Sequence, residues 1–377
     1  MILILNYIAN GFDVMIIPTP YEDELLYSII ARYKAWNGII LDSEAMYNLF
    51  DSKNKYLYID LPTNLNVIGQ RAGYDIDFLI HETTLFDFYS LFKNKWIRDD
   101  ALSMMQGNKR NTLEYALGIY NKEYAKPNFI RFCPECWEED IKISGESYWR
   151  KLHQAPGVVI CPKHHRILHN SRLSSFFDSI SNANEKNCFP SKPVLNLNKR
   201  ELSLSLKIAK EIQWVFKNYK TVSKYDSLSP ELYLSKIIET NYILNDVLYT
   251  VSLNKTFIER IKKFYGEELI NEWNLNIDNS WLYKTIFGFS NHPLSHILLI
   301  IFLYGSIRNL TKVPDFLFLQ HAYHQKKENW FTNNMFGIFE SDILEKVQSY
   351  KHIYINHKYI NHYEIPKNIN RFEYYRK

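Results

Sequence analysis

Leu25, Leu26, Ile29, Ile30 and Tyr33 recur at the three-and-four spacing of a single helix face. The residues before them supply a start: Thr19 and Glu22 form a Thr-x-x-Glu capping box, and Pro20 suits the first helical position. Asn37-Gly38 supplies the stop. A shorter helix, "SEAMYNLFD", begins at Asp42 or Ser43. Two helices across a short turn match a helix-turn-helix, whose second helix, Ser43–Phe50, would face a DNA groove. Helical patterning continues through "HETTLFDFYSLF" and "TLEYALGIY". The stretch Ser171–Pro193 is polar, rich in Ser and Asn and closed by two prolines, and reads as a linker. Beyond it, amphipathic helices run from "LSLKIAKEIQWVFKNY" to "TFIERIKKFYGEELINEW". The most apolar run, Ile297–Tyr304, is too short to span a bilayer and reads as a buried helix. No internal repeat or sustained heptad is present.

Composition narrows the classes. A chain of 377 residues with 46% hydrophobic positions is globular and long enough for two or three domains. Four cysteines cannot form a disulfide framework, so the expectation is a reduced, cytoplasmic protein. The N-terminal "MILILNYIANGFDVM" lacks a basic start and a small-residue cleavage site, which argues against a signal peptide. Met15 is an alternative start, which would make residues 1–14 an extension. The net charge of +4 permits nucleic-acid binding without specifying it. The tail, Lys351–Lys377, is more biased, with six Lys/Arg against two Glu, interleaved with tyrosines.

Three of the four cysteines lie between Cys133 and His165, as Cys133-x-x-Cys136 and Cys161-x-x-His164. A two-residue gap lets the chain curl so that both side chains of a pair reach one ion. Three thiolates and an imidazole close a tetrahedral sphere, which makes the expected site a structural Zn²⁺ centre with no position left for water. His165 and His169 are alternative fourth ligands, and His153, outside a knuckle, is a weaker one. Cys188 has no partner at knuckle spacing and reads as a lone thiol. His292 and His296, spaced i, i+4 across a proline, read as a hydrogen-bonded pair at a helix start, with metal ligation as the alternative. The fold expected is mainly α with a small zinc-knuckle module. Its layout is a possible N-terminal extension (1–14), an N-terminal helical region with the helix-turn-helix (15–120), the zinc-knuckle segment (121–175), a linker (176–198), a helical C-terminal domain (199–350) and a basic tail (351–377).

"PTPYEDELLYSIIARY", "FCPECWEED", "GESYWRKLHQAPGVVICPKHHRILH" and "HPLSHILLIIFLYGS", in this order, resemble the TniQ/TnsD family, the target-selection proteins of Tn-seven-type transposons. The resemblance runs from about Pro18 to Ser306. It implies zinc ligation by Cys133, Cys136, Cys161 and His164, sequence-specific binding to double-stranded DNA at an attachment site, and recruitment of the AAA+ ATPase TnsC. A shorter adaptor type, which couples a CRISPR effector complex to that ATPase, is the alternative. Many selectors of this family run well past the length of this chain. The expected second helix offers only Ser43 and Asn48 as base-reading groups, and Glu44 would repel phosphate. Remaining DNA contacts would therefore come from Lys109, Arg110, Arg150, Lys151 and the tail, including Arg371, Arg376 and Lys377. In the YWRKLHQ block, Tyr148, Trp149 and Leu152 are expected to pack inward, with Arg150 and Lys151 pointing away. No G-x-x-x-x-G-K-[ST], G-x-G-x-x-G or H-E-x-x-H occurs, so no enzyme is expected.

Overall fold

The computed structural model describes residues 6–10, 13–52, 57–107, 110–119, 126–175, 179–224, 228, 232–233, 236, 259–275, 280–286 and 292–312. The chain divides into two units, one of Met1–Leu244 with Ser252–Pro314, the other of Asn245–Val251 with Asp315–Lys377. Every described residue lies in the first.

An antiparallel hairpin, β1 (Asn6–Asn10) and β2 (Asp13–Ile17), precedes α1 (Leu26–Trp36). The helix is buried at every position from Leu26 to Lys34. Asn37 ties its end to the hairpin: its side chain accepts from the Ile16 N–H at 2.9 Å and donates to the Ile16 carbonyl at 2.8 Å. The expected capping box at Thr19–Glu22 does not form, and Leu25 is the residue before the helix. Asp23 takes a left-handed φ of 61°, and Glu24 joins an antiparallel bridge with Arg150. The Leu25 N–H donates to the Trp149 carbonyl at 3.0 Å, and the Lys151 N–H to that of Asp23 at 2.8 Å. A distant segment thus takes up the backbone that a capping box would have coiled, and the helix begins later.

Five helices follow: α2 (Asp42–Phe50), α3 (Leu65–Ala72), α4 (Ile76–Thr83), the single turn α5 (Phe86–Tyr89) and α6 (Lys95–Gln106). α7 (Arg110–Ala116) packs against α6. Between α3 and α4 the turn is three residues long, with Gly73 left-handed at φ 71° and the Asp75 carboxylate capping α4 through the Phe78 N–H at 2.8 Å.

The knuckle segment comprises β3 (Phe129–Phe132), α8 (Pro134–Ser144), the short α9 (Lys151–Gln154) and β4 (His169–Ser174). After α10 (Glu185–Cys188), β5 (Lys192–Pro193) completes an antiparallel sheet of order β3-β4-β5. The stretch expected as a linker is therefore part of the fold over its described residues. The Ser179, Ile180, Ser181 and Ala183 carbonyls accept from Tyr27, Lys34, Trp149 and Trp137 respectively. Backbone carbonyls thus tie it to side chains of α1, α8 and the YWRKLHQ block. Cys188 is buried with a free thiol.

α11 (Lys199–Lys217) opens with a complete capping box, Asn198 with Glu201, and is followed by the turn α12 (Tyr219–Val222). Helix Pro293–Tyr304 is apolar all round and buried at nearly every position, as its sequence predicts. No described helix is long and apolar enough to cross a membrane. Gly157, left-handed at φ 91°, lies so close to Leu294 that a Cβ there would collide with it. His292 caps this helix, its Nδ1 accepting from the Leu294 N–H at 3.2 Å, and His296 Nδ1 lies 2.7 Å from the Tyr233 hydroxyl. These two bonds run to other partners and not from one histidine to the other, unlike the pair expected from their spacing.

Candidate metal centre

The two knuckles are built differently. In the first, Cys133 is the residue before α8, Pro134 occupies its first turn, and Cys136 lies one turn in. Proline suits that place because no N–H is needed there. The second is a hairpin turn: the Cys161 N–H donates to the Arg166 carbonyl at 2.8 Å and the His165 N–H to that of Cys161 at 2.9 Å. An Ile160–Ile167 bridge closes its base, and His165 adopts φ 57° at the turn.

Together they gather Cys133, Cys136, Cys161 and His164, whose ligand atoms all lie within 4.8 Å of one another. His164 Nδ1 is 3.5, 3.3 and 3.7 Å from the Sγ atoms of Cys133, Cys136 and Cys161, and the last two sulfurs are 3.7 Å apart. A tetrahedral ion with bonds of about 2.3 Å to sulfur and about 2.0–2.1 Å to nitrogen requires edges of about 3.8 and 3.6 Å. The residues fit one such ion, which this group can hold.

The electrostatics agree. Hydrogen bonding to Cys136 and Cys161, with burial, pushes the Cys133 thiol up, while donation from Cys133 and Cys136 pulls Cys161 down. Three thiolates at this spacing require a positive ion between them.

Surrounding groups orient the ligands. His164 Nε2 donates to Glu139 Oε1 at 3.0 Å, which leaves Nδ1 facing the sulfurs, and Lys163 also pairs with Glu139. His165 is not in the group; His169 Nδ1 is 2.8 Å from the Ser191 hydroxyl, on the strand beyond the turn. His153 is buried in α9, outside the four.

Arg150 and Lys151 do not point away from the core. Arg150 makes a two-pronged pair with Asp140 of α8, 2.7 Å at each prong, and its guanidinium stacks on Tyr148. Lys151 is buried and its Nζ donates to the His81 carbonyl at 2.7 Å. The alternation read as one inward and one outward face fails because the helix is a single turn, Lys151–Gln154, that Arg150 precedes and that packs against β3 and α11. Trp149 and Leu152 are buried as expected. Ser43 is exposed on α2, and Asn48, half-buried, donates to the Tyr33 hydroxyl at 3.3 Å. Arg110 opens α7, while Lys109 and the tail with Arg371, Arg376 and Lys377 lie outside the described residues.

Sequence reasoning missed a buried ionic joint beside the centre. Arg32, 1% exposed, pairs with Glu24 and Glu146, each at 2.8 Å, and donates to the Thr19 carbonyl. Its guanidinium also stacks between Tyr21 and Trp36. Burial pushes Glu24 up to about 7 even against Arg32. The one available signal was a charged residue within the apolar periodicity of α1.

Residues 15–168, which hold both knuckles and the joint, match the TniQ family model. The chain is also 26% identical over 307 residues to the Escherichia coli protein "Transposon Tn7 transposition protein TnsD", covering 74% of this chain and 55% of that protein. The chain carries a TniQ domain, and its likeness to TnsD extends beyond that domain. It thus spans just over half the length of this relative. A tetrahedral ion held by these four donors would have no open position for water.

Proposed function

We propose that this chain is a target-site selector of a Tn7-like transposon, which binds attachment-site DNA and recruits the AAA+ ATPase TnsC. The observation that carries the reading is the match of residues 15–168 to the TniQ model together with the likeness to TnsD over 74% of the chain. In this reading the centre holds one Zn²⁺ through Cys133, Cys136, Cys161 and His164, in a structural role. Zinc is favoured by the soft thiolate-rich donor set and by edge lengths that suit a tetrahedral ion. The ion would clamp α8 to the 159–168 hairpin, and through Asp140 and Arg150 fix the YWRKLHQ block against α1.

One observation favours the second reading, an adaptor that couples a CRISPR effector complex to the ATPase. Arg150 and Lys151, two of the cations assigned to phosphate, are engaged inside the fold. An adaptor needs protein surfaces more than phosphate contacts. Ser43, Asn48, Lys109, Arg110, Arg371, Arg376 and Lys377 remain the proposed DNA-contacting set. The deciding experiment compares binding to insertion-site and scrambled duplexes across a salt series, using protein that retains its metal. A selector prefers the insertion-site duplex, and its log K falls by roughly 0.9 per neutralised phosphate with log salt. Equal affinity for both duplexes, in protein that still binds the ATPase, rejects the selector and favours the adaptor.

A further inference from the structure

α3 and α4 form a helix–turn–helix with a three-residue turn, shorter than the five residues between α1 and α2, the pair that the sequence pattern suggests. At Gly69 a Cβ would stand 2.5 Å from Ile76 Cδ1 and 3.1 Å from the Tyr74 carbonyl, so α4 starts close against α3 and a larger residue would make Ile76 shift. Gly73 turns the chain, Ile68, Ala72, Leu79 and Ile80 face inward, and Asp75 caps the second helix. This leaves the outer face of α4 as Asp77, Phe78 and Glu82, below the exposed cap Asp75. Phe78 is 36% exposed.

We infer that this outer face docks a partner protein whose Lys/Arg-rich rim surrounds an apolar pocket for Phe78, and that it does not enter a DNA groove. A groove-facing helix meets phosphates on both sides and ordinarily brings cations to them. α4 contains no Lys or Arg. Asp75, Asp77 and Glu82 form no ion pair among the described residues, so their charge is available to a partner. Arg71, at the end of α3, is held by Asp51 and by the carbonyls of Tyr47 and Asn48. α2, packed on α3, repeats the character of the face with exposed Glu44 and Tyr47. Between Asp42 and Thr83 the sequence carries seven carboxylates against three Lys/Arg, within a chain whose net charge is +4. Acidic groups around an exposed aromatic complement a cationic surface with an apolar centre, the arrangement in which a buried aromatic anchors and rim charges steer. This inference goes beyond the proposed function and holds for selector and adaptor alike: whatever DNA contacts the chain makes, α4 is not among them.

The test uses the full metal-loaded chain with two probes, a synthetic Lys/Leu amphipathic helical peptide and random-sequence duplex DNA, each followed by fluorescence anisotropy. Phe78→Ala and the double variant Asp77→Lys/Glu82→Lys should each weaken the peptide about tenfold. Glu267→Lys/Glu268→Lys, with the same charge change at exposed positions elsewhere, should leave it within about twofold. Phe78→Ala should leave DNA affinity unchanged, and the double reversal should raise it. The near-isosteric Asp77→Asn/Glu82→Gln repeats the peptide measurement should the reversal impair folding. The inference is overturned if Phe78→Ala lowers DNA affinity, if the peptide is indifferent to all these variants, or if Phe78→Ala dissolves a self-associated species in sedimentation, which would make a second copy the occupant.

Discussion

The inner side of the knuckle segment and helix Pro293–Tyr304 are held by opposite means. From Cys133 to Leu168 the contacts are thiols, an imidazole, the Asp140–Arg150 pair and carbonyls that accept from Trp137 and Trp149. From Pro293 to Tyr304 nearly every buried side chain is aliphatic. The first region depends on a few specific partners, so one atom removed from the set is felt by all. The second depends on many weak contacts, each replaceable in part by its neighbours. A conformation fixed by few strong bonds has one arrangement or none, whereas an apolar helix degrades by increments.

The largest effect expected is therefore at the metal. Structural zinc supplies an apparent binding energy of about 10–16 kcal/mol in small fingers. Cys161→Ser should abolish stoichiometric metal and expose the segment to limited proteolysis between Cys133 and Leu168, while helix Pro293–Tyr304 stays protected. Elemental analysis should give about one zinc per wild-type chain. Metal at that ratio in Cys161→Ser would remove this cysteine from the ligand set.

Next comes the buried joint. Arg32→Met leaves Glu24 and the inner edge of Glu146 without their cation, and breaking one side of a buried pair costs about 3–5 kcal/mol. The double variant Arg32→Met/Glu24→Gln should recover part of that loss, because Glu24 then has no charge to strand. Chemical denaturation of the single and double variants checks this, and equal destabilisation would show that Arg32 acts through its stacking on Tyr21 and Trp36 alone. Against these stands Leu298→Ala in the apolar helix, at about 2–5 kcal/mol, with metal content unchanged. A loss of zinc from Leu298→Ala would mean that the two regions are coupled more tightly than their chemistry suggests.

What could be read from the sequence follows the same division. The four metal-binding candidates were legible because ligand spacing is a local property: two intervening residues fix what one ion can reach. The apolar helix was legible from composition. The late start of α1 was not, because Asp23–Leu25 is claimed by Trp149 and Lys151, more than a hundred residues away. Nor were the inward cations of the YWRKLHQ block, since the partner of Arg150 is a carboxylate on α8 and that of Lys151 a carbonyl at the end of α4. Ser171–Pro193 shows the same limit from the other side: its polarity reads as a linker, yet its backbone carbonyls accept from Trp149 and Lys34, which composition cannot show. Asp140 lies one turn beyond Cys136, so a helix begun at Pro134 would have drawn attention to it, but only the fold supplies its partner.

The smallest effect sharpens the comparison from the apolar side, where one titratable group sits at the helix start. His292 caps helix Pro293–Tyr304 by accepting from Leu294, which needs a neutral Nδ1. Burial holds its pKa well below the usual 6.5, and Lys93, Lys126 and His296 add to this. Burial also lowers Lys93 to about 7. A histidine whose folded pKa is depressed takes up fewer protons than the unfolded chain, so its contribution is constant above about pH 6.5 and is lost as pH falls below it, by at most about 1.4 kcal/mol per pH unit. Glu24 works in the opposite sense: raised to about 7, it costs stability as pH climbs from 4.5. The wild-type profile sums the two and cannot separate them. His292→Asn keeps a capping acceptor and removes the titration. Stability measured between pH 5 and pH 7.5 should fall less steeply toward acid in His292→Asn than in wild type, and the two profiles should run parallel above pH 7. Parallel profiles throughout would show that His292 titrates alike in the folded and unfolded chain, and would leave the acid sensitivity of the fold to the other titratable groups.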